Sequence, residues 1–219
     1  MNEIISNGKE VIRIEAEAIA DLKNSINEDF VNTVETIFTS KGRVVLTGMG
    51  KSGLIARKIV ATLNSTGTAA IYLHPTDALH GDLGMVRSED VVILISKSGE
   101  TEEISNLLPM LKRMNVKLIS MCGNKESKLA RECDLFLNIA VKEEACPYDL
   151  APTASTTATL ALGDALAVSL LKKRNFTAKD FAFLHPGGSL GKRLSLKIKE
   201  VMITGEKIPK VNTDTSIKD

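Results

Sequence analysis

Several residue types are scarce in this 219-residue sequence, and each scarcity excludes a class of protein. Tryptophan is absent and aromatic residues make up 4% of the chain, so little is available for stacking on bases or sugar rings. The 28 Lys and Arg residues nearly balance the 27 Asp and Glu residues, which gives a net charge of +1. Nucleic-acid binding requires a basic face, and no run of Lys or Arg stands out. We therefore expect no nucleic-acid partner.

Cysteines and long apolar runs are also scarce. Cys122, Cys133 and Cys146 are odd in number and show no C-x-x-C spacing, so we interpret them as small buried hydrophobes in a reducing cytoplasm. The longest near-apolar stretch, 158–171, is interrupted by a glycine and an aspartate, and it is shorter than the ~20 residues that cross a bilayer. The first residues lack the features of a secretory signal. The sequence thus predicts a cytoplasmic protein without a membrane span.

The pattern that remains is typical of an α/β fold. Apolar residues recur at helical spacing up to Phe38, and the longest predicted helix covers Thr153–Lys173. Between these helical regions, short apolar runs alternate with helical segments, as expected for strands buried on both faces of a parallel sheet. The runs are Val44–Leu46, Ala69–Leu73, Val91–Ile95, Val116–Met121 and Leu135–Val141. We predict a three-layer αβα fold with a five-stranded parallel sheet, preceded by N-terminal helices.

A glycine-rich segment, Gly48–Gly53, follows the first predicted strand. It contains G-K-S, but the position that a P-loop reserves for its first glycine holds Val45. The segment does match G-x-G-x-x-G, which leaves dinucleotide binding as an alternative. That fingerprint also requires an acid at the end of the second strand, where the nearest acid is Asp77 in the following loop.

Two further strand ends carry polar sequence. After the third strand, Ser96, Ser98 and Thr101 surround Gly99, and hydroxyls beside free helix amides can bind a phosphate dianion without a metal. Alternatively, Thr101 only caps the next helix. After the fifth strand, residues 142–157 combine paired acids, a Cys-Pro turn and a Ser/Thr-rich helix start. This segment reads either as part of a site or as a solvated loop with an N-cap.

The three histidines do not form a recognisable metal motif. His74 and His80 flank one loop, whereas His185 precedes Pro-Gly-Gly. A zinc site built on the first two would lack its third and fourth ligands. We expect no required metal, although adventitious zinc at a loop histidine is compatible with the sequence.

Taken together, these segments resemble the sugar isomerase (SIS) domain family, and within it the D-arabinose 5-phosphate isomerases. The resemblance runs in order from the N-terminal helices to about residue 205. The segments that carry it are Gly48–Gly53, His80–Val86, Ser96–Glu100, Glu144–Pro147, Leu150–Thr153, Ser155–Thr159, Gly163–Ala167 and His185–Gly188.

The resemblance implies an aldose–ketose isomerase that interconverts D-ribulose 5-phosphate and D-arabinose 5-phosphate on the route to Kdo for lipopolysaccharide or capsule. It implies a homotetramer and no required cofactor. The phosphate contacts it implies are Ser52, Ser96, Ser98 and Thr101, around Gly99. Residues along the sugar would be Gly67, Thr68 and His80. The position of His74 is one at which family members can hold an inhibitory zinc.

The catalytic residues that the resemblance implies are Lys51, Glu103, Glu144 and His185. We predict Glu144 as the base, with Glu103 second, because a glutamate shielded from water has its pKa raised toward the working pH. Lys51 would polarise the carbonyl oxygen, and His185 would assist ring opening. Lys97 stands where relatives often have Asn, and an extra cation near a phosphate should be harmless.

The same resemblance predicts the domain organisation. Residues 1–195 would form the isomerase domain, and residues 196–219 would be a linker and the start of a regulatory CBS module. Two alternatives remain open within the family: a module that senses a sugar phosphate without turnover, and an isomerase of another sugar phosphate. A nucleotide-dependent oxidoreductase is the alternative outside it.

Overall fold

The computed structural model describes residues 2–187, 202–210 and 216. The chain divides into two units, Met1–Phe176 and Thr177–Asp219, each described here by itself. The helices of the first unit are α1 (Asn2–Asp21), α2 (Glu28–Thr39), α3 (Gly50–Ser65), α4 (Pro75–Leu79), α5 (Glu102–Arg113), α6 (Lys128–Glu132) and α7 (Ala154–Lys173). Its strands are β1 (Val44–Gly48), β2 (Ala70–Leu73), β3 (Val91–Ser96), β4 (Lys117–Cys122) and β5 (Leu135–Asn138).

The five strands form one parallel sheet in the order β2-β1-β3-β4-β5. The predicted three-layer αβα fold is therefore confirmed, with each strand close to its predicted position. β5 ends at Asn138 rather than at Val141, because the Asn138 side chain accepts the amide of Ala140 at 2.9 Å and turns the chain away from the sheet.

Alternate residues of the strands face two separate cores, one on each side of the sheet. Leu46 and Ile93 belong to the core that packs under α2, α3 and α7. Val45 and Leu94 belong to the core under α4, α5 and α6. The continuous burial of β1 and β3 explains why their sequences are apolar without alternation.

Helix α7 corrects one sequence expectation. It is 20 residues long and, by length and composition, apolar enough to cross a membrane, whereas the sequence suggested a stretch that is too short. Half of its apolar window is buried inside the protein. Leu162, Leu166 and Leu170 pack into the core beside α2 and α3. This burial is what a core helix of a globular domain shows, and it accounts for the apolar composition.

The cysteines are only partly as expected. Cys122 is buried, but Cys133 and Cys146 are partly exposed, and all three are free thiols. Burial raises the pKa of Cys133 to about 12, so this thiol stays protonated and weakly reactive at neutral pH.

The second unit begins with helix α8 (Ala178–Leu184), which starts at a capping box between Thr177 and Asp180. A short 3₁₀ turn, Gly205–Lys207, follows later in the chain. The predicted domain boundary after residue 195 lies outside the described residues, as does most of the predicted CBS segment, 196–219.

Candidate active site

The carboxyl ends of β1 and β3 lie side by side at one edge of the sheet, the place where open α/β sheets form a ligand crevice. The two strands are neighbours, with Gly48 paired to Ile95. Helix α3 leaves β1 toward one face of the sheet, and α5 leaves β3 toward the other. Diverging connections between adjacent strands mark the point at which open α/β sheets bind ligands. Both predicted phosphate segments lie at this point.

The turn from β1 into α3 is held tight by its glycines. Gly50 has a φ of +56°, a conformation that favours glycine. A Cβ on Gly53 would lie 2.5 Å from the carbonyl oxygen of Gly48, so the helix can only approach the strand this closely without a side chain there. The amides at the start of α3 have no acceptor within the helix, and they face the crevice beside the half-buried Ser52.

The turn from β3 into α5 is organised by its own hydroxyls. The oxygens of Ser96 and Thr101 lie 2.7 Å apart, and the Ser96 oxygen also accepts the amide of Gly99 at 3.0 Å. Thr101 is the N-cap residue of α5, but its side chain makes no capping hydrogen bond. The alternative in which Thr101 only caps the helix is therefore wrong. The first amides of α5 are left open toward the crevice.

Contacts with the start of helix α6 fix this turn from behind. The carbonyl of Gly99 accepts the amide of Leu129 at 3.1 Å, and the carboxylate of Glu100 accepts the amide of Lys128 at 2.8 Å. Gly99 has a φ of +73°, and a Cβ there would overlap the side chain of Ser127. The turn is thus held in one conformation with the exposed Ser98 at its tip.

Glu144 is the most buried of the predicted catalytic residues. Its side chain is 0% exposed. One carboxylate oxygen, Oε2, accepts the amides of Thr153 and Ser155 at 2.8 and 3.0 Å, as well as the Thr153 hydroxyl at 3.2 Å. The other, Oε1, lies 2.7 Å from Nζ of Lys97. Glu144 therefore caps α7 and reaches back to the turn after β3.

The expectation of a raised pKa is wrong for Glu144. Burial does oppose ionisation, but the Lys97 ion pair and the hydrogen bonds from Ser155 and Thr153 outweigh it and lower the pKa to about 2. The structure also distinguishes the two adjacent acids of the sequence. Glu143 is exposed, whereas Glu144 turns inward.

Lys51 and Glu103 lie at the crevice itself. Lys51 is exposed in the first turn of α3, and Glu103 is partly exposed in the first turn of α5. Among residues 2–187, 202–210 and 216, neither side chain has a hydrogen-bond or ion-pair partner. A cation and a carboxylate that are both unpaired are available to a ligand at this edge.

His185 belongs to the second unit. Its ring stacks on Phe181 with centroids 3.9 Å apart, and its Nδ1 atom lies 2.8 Å from the Phe181 carbonyl oxygen. This contact fixes the ring and directs Nε2 away from the helix α8 backbone. Its role in ring opening stays a prediction.

The residues predicted along the sugar are not all brought to the crevice within one copy of the chain. Gly67 and Thr68 precede β2 and so lie at the opposite, amino-terminal edge of the sheet. The Thr68 hydroxyl accepts Nε of Arg174 at 3.2 Å there. His80 is exposed at the end of α4, on the carboxyl side of β2. These three assignments stay predictions.

His74 does not have the surroundings of a zinc site. It precedes α4, and its Nδ1 atom lies 3.7 Å from a carboxylate oxygen of Asp77. In the described part of the chain no group of three or more His, Cys, Asp and Glu side chains is arranged to hold a metal. A tetrahedral zinc needs more ligands than this pair supplies, and the described residues do not complete such a site around His74. The zinc at His74 stays a prediction.

Sequence reasoning missed the contact between Lys97 and Glu144. The two residues are far apart in the sequence and follow different strands. Two features of the sequence were available as signals: Lys97 replaces the Asn that relatives often have, and Glu143 and Glu144 are adjacent. Neither feature shows that Lys97 and Glu144 are in contact. The backbone hydrogen bonds that hold the Glu144 segment were missed as well. The Glu144 amide donates to the Asp149 carboxylate at 2.7 Å, and the Ala145 amide donates to the Thr153 hydroxyl at 2.9 Å.

Comparison with known proteins agrees with this architecture. The SIS domain model matches residues 37–169. The chain is 55% identical over 212 residues to the arabinose 5-phosphate isomerase KdsD of Escherichia coli (strain K12), an alignment that covers 97% of this chain and 65% of the relative. It is 52% identical to KdsD of Pseudomonas aeruginosa over 215 residues, which are 98% of this chain and 66% of the relative. The chain thus spans about two thirds of the length of these curated relatives.

A solved structure shows the same fold with a ligand. The structure of E. coli CFT073 c3406 in complex with arabinose 5-phosphate superposes with a TM-score of 0.82 at 45% sequence identity. The match covers 84% of this chain and 98% of that one.

Proposed function

This chain belongs to the SIS domain family, and on that premise we propose that it is an aldose–ketose isomerase that interconverts D-ribulose 5-phosphate and D-arabinose 5-phosphate. The relatives that share 52–55% of its residues are named arabinose 5-phosphate isomerases. A structural neighbour at 45% identity was solved in complex with arabinose 5-phosphate. The observation that carries the proposal is the pair of turns at adjacent strand ends, Ser96–Thr101 with its hydroxyls 2.7 Å apart and Gly50–Ser52 at the start of α3.

The phosphate would be held by hydroxyls and amides rather than by a metal. Ser52, Ser98 and Thr101 supply hydroxyl donors, and the first turns of α3 and α5 supply amides with the positive ends of two helix dipoles. Holding the dianion at this point places the attached carbon chain along the crevice, within reach of groups that follow the same strands.

Moving the carbonyl between C1 and C2 requires a proton transfer between adjacent carbons. A carboxylate removes the proton from C2 of the open-chain aldose, and the C–H electron pair forms the C1–C2 double bond as the carbonyl electrons move onto the oxygen. Returning that proton to C1, while the C2 hydroxyl passes its own proton to the C1 oxygen and becomes the carbonyl, gives the ketose. We assign the base to Glu103, since its carboxylate is partly exposed and has no partner among the described residues.

Lys51 would stabilise the developing enediolate, because its ammonium lies at the neighbouring helix start and has no partner in the part of the chain that the structure describes. His185 would assist ring opening, as the family resemblance implies. All of these steps are proton transfers between carbon and oxygen, so the proposal requires no cofactor.

The setting of the enzyme is also part of the proposal. On the family resemblance, we place the protein in the cytoplasm as a homotetramer that supplies arabinose 5-phosphate for Kdo. Ile5, Ile12 and Ile19 recur every seven residues on α1 and are all exposed, which supports burial of this helix face between copies. Light scattering should give four times the chain mass, and Ile12→Lys should reduce it.

The experiment that tests the activity is direct. The protein is incubated with ribulose 5-phosphate, without nucleotide and with a chelator present, and arabinose 5-phosphate is followed by NMR. Appearance of arabinose 5-phosphate supports the proposal. Binding of the sugar phosphate without turnover would instead indicate a sensor, and preferential turnover of another pentose or hexose phosphate would change the substrate. NAD(H) titration should show no binding.

A further inference from the structure

The ion pair between Lys97 and Glu144 connects two parts of the site that are distant in the sequence. Lys97 lies in the turn after β3, between Ser96, whose hydroxyl organises the turn, and Ser98, which we propose binds phosphate. Glu144 lies after β5 and caps the first turn of α7. Their side chains meet at 2.7 Å, so a single contact ties the turn to the start of the longest core helix.

The backbone of the turn is fixed at the same residue. The carbonyl of Lys97 accepts the amide of Gly123 at 2.9 Å, which anchors the turn to the end of β4. The Lys97 side chain is 45% exposed, so its ammonium keeps donors for a ligand while one side faces Glu144. A long lysine side chain would otherwise sample many rotamers beside the phosphate.

The surroundings of Glu144 do not suit a base that abstracts a proton from carbon. Its side chain is 0% exposed, and both oxygens are already engaged, Oε2 by Thr153 and Ser155 and Oε1 by Lys97. To reach a substrate carbon, the carboxylate would have to leave the donor groups of Thr153, Ser155 and Lys97 in a buried position, which is costly for a charge.

We infer that Glu144 and Lys97 are positioning residues: their half-buried ion pair holds the phosphate-binding turn in place against α7, and the base is a different residue. This inference rests on the proposed isomerase function for its kinetic readout. It assigns to Glu144 an effect on substrate binding rather than on the chemical step. It also gives Lys97 a defined task, in place of a harmless extra charge.

Substitution of Glu144 separates the two roles. Glu144→Gln keeps an acceptor for the α7 amides and removes the charge that holds Lys97. We expect KM for the sugar phosphate and the dissociation constant for inorganic phosphate to rise about 10- to 100-fold, the loss typical of a charge-assisted hydrogen bond, with kcat within about threefold. Glu143→Gln, the exposed neighbour, is the matched control and should change neither constant.

Variants at Lys97 test the same contact from its other side. Lys97→Arg retains a cation that can pair with a carboxylate and should restore most of the phosphate affinity, whereas Lys97→Gln should weaken it as Glu144→Gln does. The double variant Lys97→Gln/Glu144→Gln should bind phosphate no more weakly than the single variant with the lower affinity, because both changes remove the same interaction. The double variant leaves no unpaired buried charge, so it is the form to measure if a single variant does not fold.

Three results would overturn the inference. The first is a kcat for Glu144→Gln at least about 100-fold lower with phosphate affinity unchanged, which is the signature of a lost base. The second is no change in either constant. The third is additive losses in the double variant. The phosphate titration does not need turnover, so an inactive wild-type protein whose phosphate affinity depends on Glu144 would refute the proposed function and leave this inference standing.

Discussion

The hydroxyls of Ser96 and Thr101 lie 2.7 Å apart, at opposite ends of the turn that joins β3 to α5. This pairing takes Thr101 away from the capping position that its place before a helix would ordinarily give it. The helix then begins with open amides, and the turn presents a ring of hydroxyls around Gly99. A capping hydrogen bond from Thr101 would have satisfied one of these amides. Because its hydroxyl contacts Ser96 instead, the amides remain available as donors for an anion.

Removal of the hydroxyl at the tip of this turn should affect binding more than chemistry. Ser98 is exposed, and its oxygen accepts the Glu100 amide at 3.2 Å. We expect Ser98→Ala to raise KM about tenfold and to change kcat less, since a phosphate is held equally in the ground and transition states. Steady-state kinetics in both directions measure this. Ser88→Ala, on the opposite edge of the sheet, should match the wild type, and a selective loss of kcat at Ser98 would argue against a phosphate contact.

A side chain at Gly99 should disrupt the turn and the fold around it. Alanine would be strained at a φ of +73°, and its Cβ would overlap Ser127. We expect Gly99→Ala to lower the free energy of unfolding by about 1–3 kcal/mol and to weaken phosphate binding. Denaturant melts give the first quantity and phosphate titration the second.

The control is Gly8→Ala in α1, where a Cβ meets nothing within 4 Å. It should leave phosphate binding unchanged and stabilise the helix by up to ~1 kcal/mol. Equal stability and binding for wild type and Gly99→Ala would show that the turn tolerates a different conformation.

Loss of the Glu103 carboxylate should abolish the chemical step. We expect Glu103→Gln to reduce kcat about 100- to 10,000-fold with KM nearly unchanged, the range typical of a general base. Exchange of the substrate α-proton with solvent deuterium, followed by NMR, should fall in parallel. Glu102→Gln alters the exposed neighbour in the same helical turn and should retain activity. Continued exchange in Glu103→Gln would move the base to another residue.

The ionisation of Glu144 should make stability depend on pH below neutrality. Its pKa is about 2 in the folded protein against an ordinary 4.5, so the folded state favours the charged form. The stabilisation is fully present above pH 4.5, declines as the pH falls below it and is lost near pH 2. It amounts to on the order of 3 kcal/mol, because one pKa unit corresponds to about 1.4 kcal/mol.

Denaturant melts between pH 7 and pH 3 measure this contribution as the difference between wild type and Glu144→Gln. We expect the difference to shrink as the pH falls through this window, whereas Glu143→Gln should track the wild type at every pH. A difference that stays constant with pH would mean that Glu144 gains nothing from being charged in the folded state.

The pattern of the sheet was accessible from the sequence because it is a local property. Val91–Ile95 is apolar without interruption since the strand is buried on both faces, and the same reasoning located the other four strands. The start of α2 is also a local property, since Asn27 is a residue type that favours the N-cap and its side chain accepts the Phe30 amide at 3.3 Å. The end of α2 is harder to locate from the sequence. The helix stops at Thr39, and Gly42, a residue type common just after helices, packs closely against the backbone of Glu89.

The sequence by itself determined the fold class, the order of elements and which turns carry glycine and hydroxyl groups, since all of these depend on near neighbours and on the period of burial. Only the tertiary structure decided that Lys97 meets Glu144 and that the carboxylate is buried and more acidic than usual. The environment of an ionisable group is set by residues far away in the chain, and the same glutamate has a raised pKa in an apolar pocket and a lowered one beside a lysine and two helix amides.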